Sequence, residues 1–137
     1  MKKNRLTMLA LVSGILMIAC ASVQAQSRTT RASISFDFAA SNSEMKAGEY
    51  TIQQVSAQTI LLKSADKKSQ VYVMTPQSVK SLDRRPQRLV FRRYGNSYFL
   101  GEIWTTEFTG MRLAPSKDER AIAKTNEKPQ SIEVALR

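Results

Sequence analysis

The sequence predicts an all-β fold, a mainly antiparallel small barrel or sandwich of about seven or eight short strands, with one short helix near the C-terminus. Three observations carry that prediction. Apolar and polar residues alternate with period two in several short segments, as they do in half-buried strands. Turn residues separate these segments at short intervals. Only the stretch after Pro115 carries helix-start signals.

The elements follow in order. Gln26 to Arg31 is polar and reads as a flexible lead-in. From Ala32 onward Ile34, Phe36 and Phe38 alternate with Ser33, Ser35 and Asp37, which predicts one strand that Ser41-Asn42-Ser43 ends. Ala47-Gly48 is a turn into a strand over Tyr50 to Val55. Thr59 to Lys63 and Gln70 to Thr75 are the next two strands, with Asp66-Lys67-Lys68 as the hairpin tip between them. Gln77 to Gln87 is irregular, with room for one short strand.

Arg88 to Tyr94 and Ser97 to Thr105 are rich in β-branched and aromatic residues, and Gly95-Asn96 between them suits a two-residue type II′ turn. Gly110 interrupts the pattern, and Met111 to Ala114 is a further short strand. Ser116 then caps a helix, with Glu119 three residues on completing a capping box. That helix runs to about Lys124, before Asn126 and Pro129. Ile132, Val134 and Leu136 alternate with Glu133 and Ala135, so the chain ends by returning to a sheet.

The first 25 residues read as an export signal rather than as part of this domain. Lys2, Lys3 and Arg5 form a positive start, and Leu6 to Ala19 is apolar. That run has about 14 residues, short of the ~20 that cross a bilayer as a helix. Val23-Gln24-Ala25 offers small residues for cleavage between Ala25 and Gln26. Met17-Ile18-Ala19-Cys20 gives an alternative, lipidation at Cys20 and a lipid-anchored product. The preferred reading leaves Cys20 in the discarded signal. The expected location is therefore the periplasm or the exterior, with no transmembrane helix in the mature chain.

The mature chain, 137 − 25 = 112 residues, is one domain with core enough to fold without metal or disulfide. The full chain has 21 Lys+Arg and 11 Asp+Glu, and the signal removes three of the positive residues, leaving 18 − 11 = +7. The plain reading of that excess is solubility. Its functional reading is contact with an anionic envelope component, a glycolipid or an acidic polysaccharide, or with another envelope protein. Nucleic acid is not an expected partner of an exported chain.

Several chemistries lack their machinery. The chain has no histidine, and its one cysteine is Cys20 in the signal. Histidine-based triads, thiol nucleophiles and histidine metal sites are thereby set aside. No GxxxxGK[ST], GxGxxG or HExxH motif occurs. Glu102 and Glu107 are near in sequence, but five positions apart on a strand they face opposite ways. The expectation is a non-enzymatic protein without a cofactor, with Glu102 as an ion-pair partner.

The hairpin centred on Gly95-Asn96 supplies the one candidate site. With a two-residue loop, one face carries Leu89, Phe91, Leu100 and Trp104 and is the better core candidate. Arg93 and Glu102 lie at its margins. The other face carries Arg88 and Arg92 beside Tyr94 and Phe99, and Arg84 and Arg85 are close in sequence. Arginines over aromatic rings grip anionic sugars, so these six residues form the candidate anion-binding surface. The plainer alternative is that arginine stems shield a phenylalanine on a solvated face. A third reading is a small barrel holding an apolar ligand among Phe36, Phe91 and Trp104.

The chain resembles a group of short exported bacterial proteins of uncharacterised function. These pair an FxF strand and an LPAGxYT-like segment with an LVFxRYGxxYFLxEIW-like hairpin and a short helix containing Glu-Arg. The matching residues are Phe36, Phe38, Ala47-Gly48, Tyr50-Thr51-Ile52, Leu89-Val90-Phe91, Arg93-Tyr94-Gly95, Tyr98-Phe99-Leu100, Glu102-Ile103-Trp104 and Glu119-Arg120. Met45-Lys46 stands where that pattern has Leu-Pro, which makes the first turn less rigid. The resemblance spans most of the mature chain. It implies export and a small β-rich domain, and no particular activity.

Overall fold

The computed structural model describes residues 28–125 and 128–137. The expected cleavage site at Ala25 and Gln26, Cys20 and the expected signal lie outside the described residues, as does Asn126. Eleven strands and one helix are described. They are β1 Thr29–Ile34, β2 Phe38–Ala40, β3 Ser43–Met45, β4 Gly48–Ser56, β5 Thr59–Ser64, β6 Gln70–Met74, β7 Gln77–Lys80, β8 Arg88–Tyr94, β9 Ser97–Trp104, β10 Thr109–Arg112, α1 Lys117–Ala123 and β11 Gln130–Ala135. The all-β reading with one late helix holds.

Two sheets share one core. The smaller has the order β1-β4-β5-β6, all antiparallel. The larger has the order β11-β8-β9-β10-β7. β9 also takes β2 as a parallel neighbour at Phe99, so β2 and β10 occupy successive lengths of its second edge. Period-two alternation points Ile52, Ile60, Leu62 and Val73 inward from the first sheet, and Leu89, Phe91, Leu100 and Ile103 from the second. Phe38 sits between the sheets, in ring contact with Tyr50 at 5.4 Å and Phe91 at 5.3 Å. The sheets meet again at the chain ends, where Arg31 and Arg137 exchange two backbone hydrogen bonds of 2.9 Å.

Several elements depart from expectation. The predicted strand through Phe38 is two strands in different sheets. Asp37 makes the break: its carboxylate accepts from the Ala47 amide at 2.9 Å and pairs with Lys46 at 2.8 Å, turning the chain from one sheet to the other. Ser41-Asn42 does not end the sheet but forms a two-residue turn between β2 and β3, with Ser41 at φ 56°. The lead-in reading fails for Thr29 to Arg31, which pair with Gln53, Ile52 and Thr51 of β4. Gly110 lies within β10 rather than interrupting it, because the Trp104 ring lies where a side chain would be.

Tyr94 faces Ser97 across the Gly95-Asn96 turn, and Gly95 has φ 55° with no positive φ at Asn96, as a type II′ turn requires. Ser116 caps α1, its hydroxyl accepting from the Glu119 amide at 3.1 Å. The reciprocal half of the capping box is missing, because the Glu119 carboxylate is engaged elsewhere.

Candidate functional site

The β8–β9 hairpin holds its two-residue register only as far as Phe91 and Leu100. Between Val90 and Phe91 the pairing shifts, Val90 facing Glu102 and Arg88 facing Trp104. Gly101 is the extra residue, a β-bulge. One inserted residue moves everything beyond it to the opposite face. Ile103 therefore enters the core, and Trp104 leaves the core side where the uninterrupted pattern put it. Trp104 instead lies beside Arg88, whose guanidinium stands 4.5 Å from its ring centre.

The outer face of the larger sheet now contains Arg88, Val90, Arg92, Phe99, Glu102 and Trp104 from the hairpin. Glu133 joins from β11, aligned with Val90, and Arg112 from β10, aligned with Glu102. Arg85, Arg88, Arg92, Arg112, Glu102 and Glu133 line a groove of about 470 Å³. Gly101 is part of its floor, and a Cβ there would meet the Arg92 guanidinium at 2.7 Å. At one end, α1 covers Tyr94 and Phe99, whose rings meet edge to face at 5.9 Å.

The six predicted residues thus have different fates. Arg85, Arg88 and Arg92 share the groove, but Arg88 is not exposed: it is 6% accessible, laid against Trp104 and donating to the Pro86 carbonyl. Arg84 does not share it, being held by Glu107 through contacts of 2.6 and 3.0 Å. Tyr94 and Phe99 are not exposed beside the arginines; they are 7% and 6% accessible. Their position follows from the helix, which buries the apolar end of this face. Sequence reasoning missed Arg112 and Glu133, which only strand order brings to the hairpin.

The charges are mostly matched. Arg92 makes a two-pronged contact with Glu119, whose carboxylate also accepts from the Tyr94 hydroxyl at 3.4 Å. Glu102 accepts from Arg112 at 2.7 and 2.9 Å and from the Trp104 indole at 2.9 Å, the ion-pair role expected for it. Burial, followed by the Glu119 charge, holds the Tyr94 hydroxyl above its ordinary pKa. The mismatch is at Glu133. One of its oxygens serves both Arg85 at 3.6 Å and Arg88 at 3.3 Å. The Arg88 Nε is buried and its approach to Glu133 is too poorly aligned for a hydrogen bond.

The apolar-ligand reading loses its lining. Phe36 and Phe91 are in ring contact at 5.1 Å within the core, while Trp104 is on the far side of the sheet. Among the described residues there is no cluster of three or more carboxylate, thiol or imidazole groups able to hold a metal ion, and no helix long and apolar enough to cross a membrane. Compared with protein-family models, with curated proteins and with solved structures, the chain matches none of them.

Proposed function

We propose that this protein is a non-enzymatic exported β-sandwich of the cell envelope that acts by binding a compact anionic group in the groove of its larger sheet. The ligand class is a phosphate or carboxylate carried by an envelope glycolipid or acidic polysaccharide. The shared oxygen of Glu133 carries this reading. Two guanidiniums converge on one carboxylate oxygen, so one positive charge stands without its own counterion. A second anion entering the groove would give the half-exposed Arg85 the paired, charge-assisted hydrogen bonds that arginine makes best, and leave Glu133 to the buried Arg88. The export signal and the +7 charge of the mature chain favour an envelope partner over an intracellular one.

The test is retention of the processed protein on immobilised lipopolysaccharide and on heparin across a salt gradient. Arg85→Ser and Arg112→Ser remove groove charges from partly exposed positions without touching the core. Each is expected to elute at lower salt than wild type. Arg84→Ser removes the same charge outside the groove and is expected to elute near wild type. Equal shifts for all three variants would mean that only net charge matters, and the groove would be dismissed.

A further inference from the structure

An unguarded sheet edge lies elsewhere, on β6. Edge strands expose unpaired N–H and C=O groups, and proteins usually protect them with charge, proline, bulges or very short length. The other edges here are protected: β11 carries Glu133, and β3 has only three residues, one of them Glu44. β1 is tied to the chain end by the Arg31–Arg137 hydrogen bonds. β7 has four residues, follows Pro76 and ends in Lys80. β6 is Gln70-Val71-Tyr72-Val73-Met74, with neither charge nor proline, and pairs only with β5 among the described residues.

Beyond Gln70 its solvent side is apolar as well. Tyr72 is 58% and Met74 69% accessible, and Leu61 of β5 is directly opposite Tyr72. Val71 and Val73 face the core. We infer that β6 is the contact strand of a homodimer, pairing antiparallel with β6 of a second copy to join two four-stranded sheets into one of eight.

Among the described residues no strand covers β6. β1 lies three strands away across the sheet, about 14 Å at the usual strand spacing. Leu136 and Arg137 are bonded to Gln87 and Arg31, away from β6. As an occupant of this edge, β6 fits itself. Pairing about a two-fold axis at Tyr72 sets Val71 against Val73 and Gln70 against Met74. Every pair then joins residues of one face, so the core side stays apolar and the outer row reads Leu61, Tyr72, Tyr72, Leu61. No like charges meet, because the strand is neutral and the Lys67-Lys68 tips of the two copies lie at opposite ends.

Sedimentation of the processed protein over about a hundredfold dilution, with hydrogen exchange read at residues 70–74, tests this. The expected result is a dimer whose β6 amides lose protection on dilution. Tyr72→Lys puts two ammonium groups face to face at the axis and should give a monomer with an unchanged circular dichroism spectrum. Phe108→Lys, an exposed apolar position elsewhere, should remain dimeric. A wild-type monomer at every concentration overturns the inference. So does a dimer that Tyr72→Lys leaves intact, or one whose β6 amides exchange freely.

Discussion

Arg92 of β8 and Glu119 of α1 form a two-pronged ion pair that fastens the one described helix to the outer face of the larger sheet. Glu119 is 2% accessible and Arg92 is mostly covered. Removing one partner leaves the other charge buried and unmatched, which costs about 3 kcal/mol or more. Glu119→Ala is therefore expected to lower the unfolding free energy by that much, read in urea as a lower midpoint at an unchanged slope. Replacing both partners with apolar residues, Arg92→Met with Glu119→Leu, should recover most of the loss. An effect under about 1 kcal/mol for Glu119→Ala would mean that the helix is held by other contacts.

Gly110 and Trp104 make a second such contact. A Cβ at Gly110 would come within 2.5 Å of the indole, far inside van der Waals range. Gly110→Ala should destabilise the fold by about 1–3 kcal/mol, as overpacking does. The chain has a single tryptophan, so fluorescence reports the displacement directly. An unchanged emission spectrum and unchanged stability would contradict this packing.

Acid should loosen the β5–β6 tip. The Asp66 carboxylate accepts from the Ser64 hydroxyl at 2.5 Å and the Lys68 amide at 3.0 Å, and these bonds hold its pKa below the ordinary 3.8. A depressed folded pKa stabilises above the unfolded value and is lost as pH falls through the folded one. Asp66→Asn should therefore lower stability at neutral pH, and the difference from wild type should shrink below pH 3.8. Thermal melts of both proteins at neutral and acid pH measure it.

Alkali acts through Tyr94 in the opposite sense. Its raised folded pKa means that above pH 10 the unfolded chain ionises while the folded one keeps its proton. Stability is then lost as pH rises from 10. Tyr94→Phe should flatten that alkaline decline, leaving the part due to Tyr50, whose burial raises it likewise. An alkaline limb identical in wild type and variant would show that Tyr94 titrates freely.

Strands and turns were legible wherever local chemistry decides them. Gly95-Asn96, Asp66-Lys67-Lys68 and Ser116 each act through their own backbone neighbourhood, and each was found where the residues place it. The misplaced features depend on distant partners. Nothing near Phe38 announces that Asp37 will capture the Ala47 amide and divert the strand. Gly101 looks like any strand glycine until its bulge is counted, yet it exchanges the faces of Ile103 and Trp104. The arginine cluster was half readable for the same reason. Arg85, Arg88 and Arg92 are close in sequence, whereas Arg112 and Glu133 join them only through strand order. The helix that hides Tyr94 and Phe99 starts at Lys117, beyond the range of any hairpin pattern.

The reciprocal bonds between Arg31 and Arg137 bear on the order of events during folding. They join residues far apart in sequence and knit the smaller sheet to the larger. Loop-closure entropy is lost before so distant a contact repays it, so such contacts form slowly. The β8–β9 hairpin needs no such closure and is ready early, while the seam at β1 is left for the last stage of assembly.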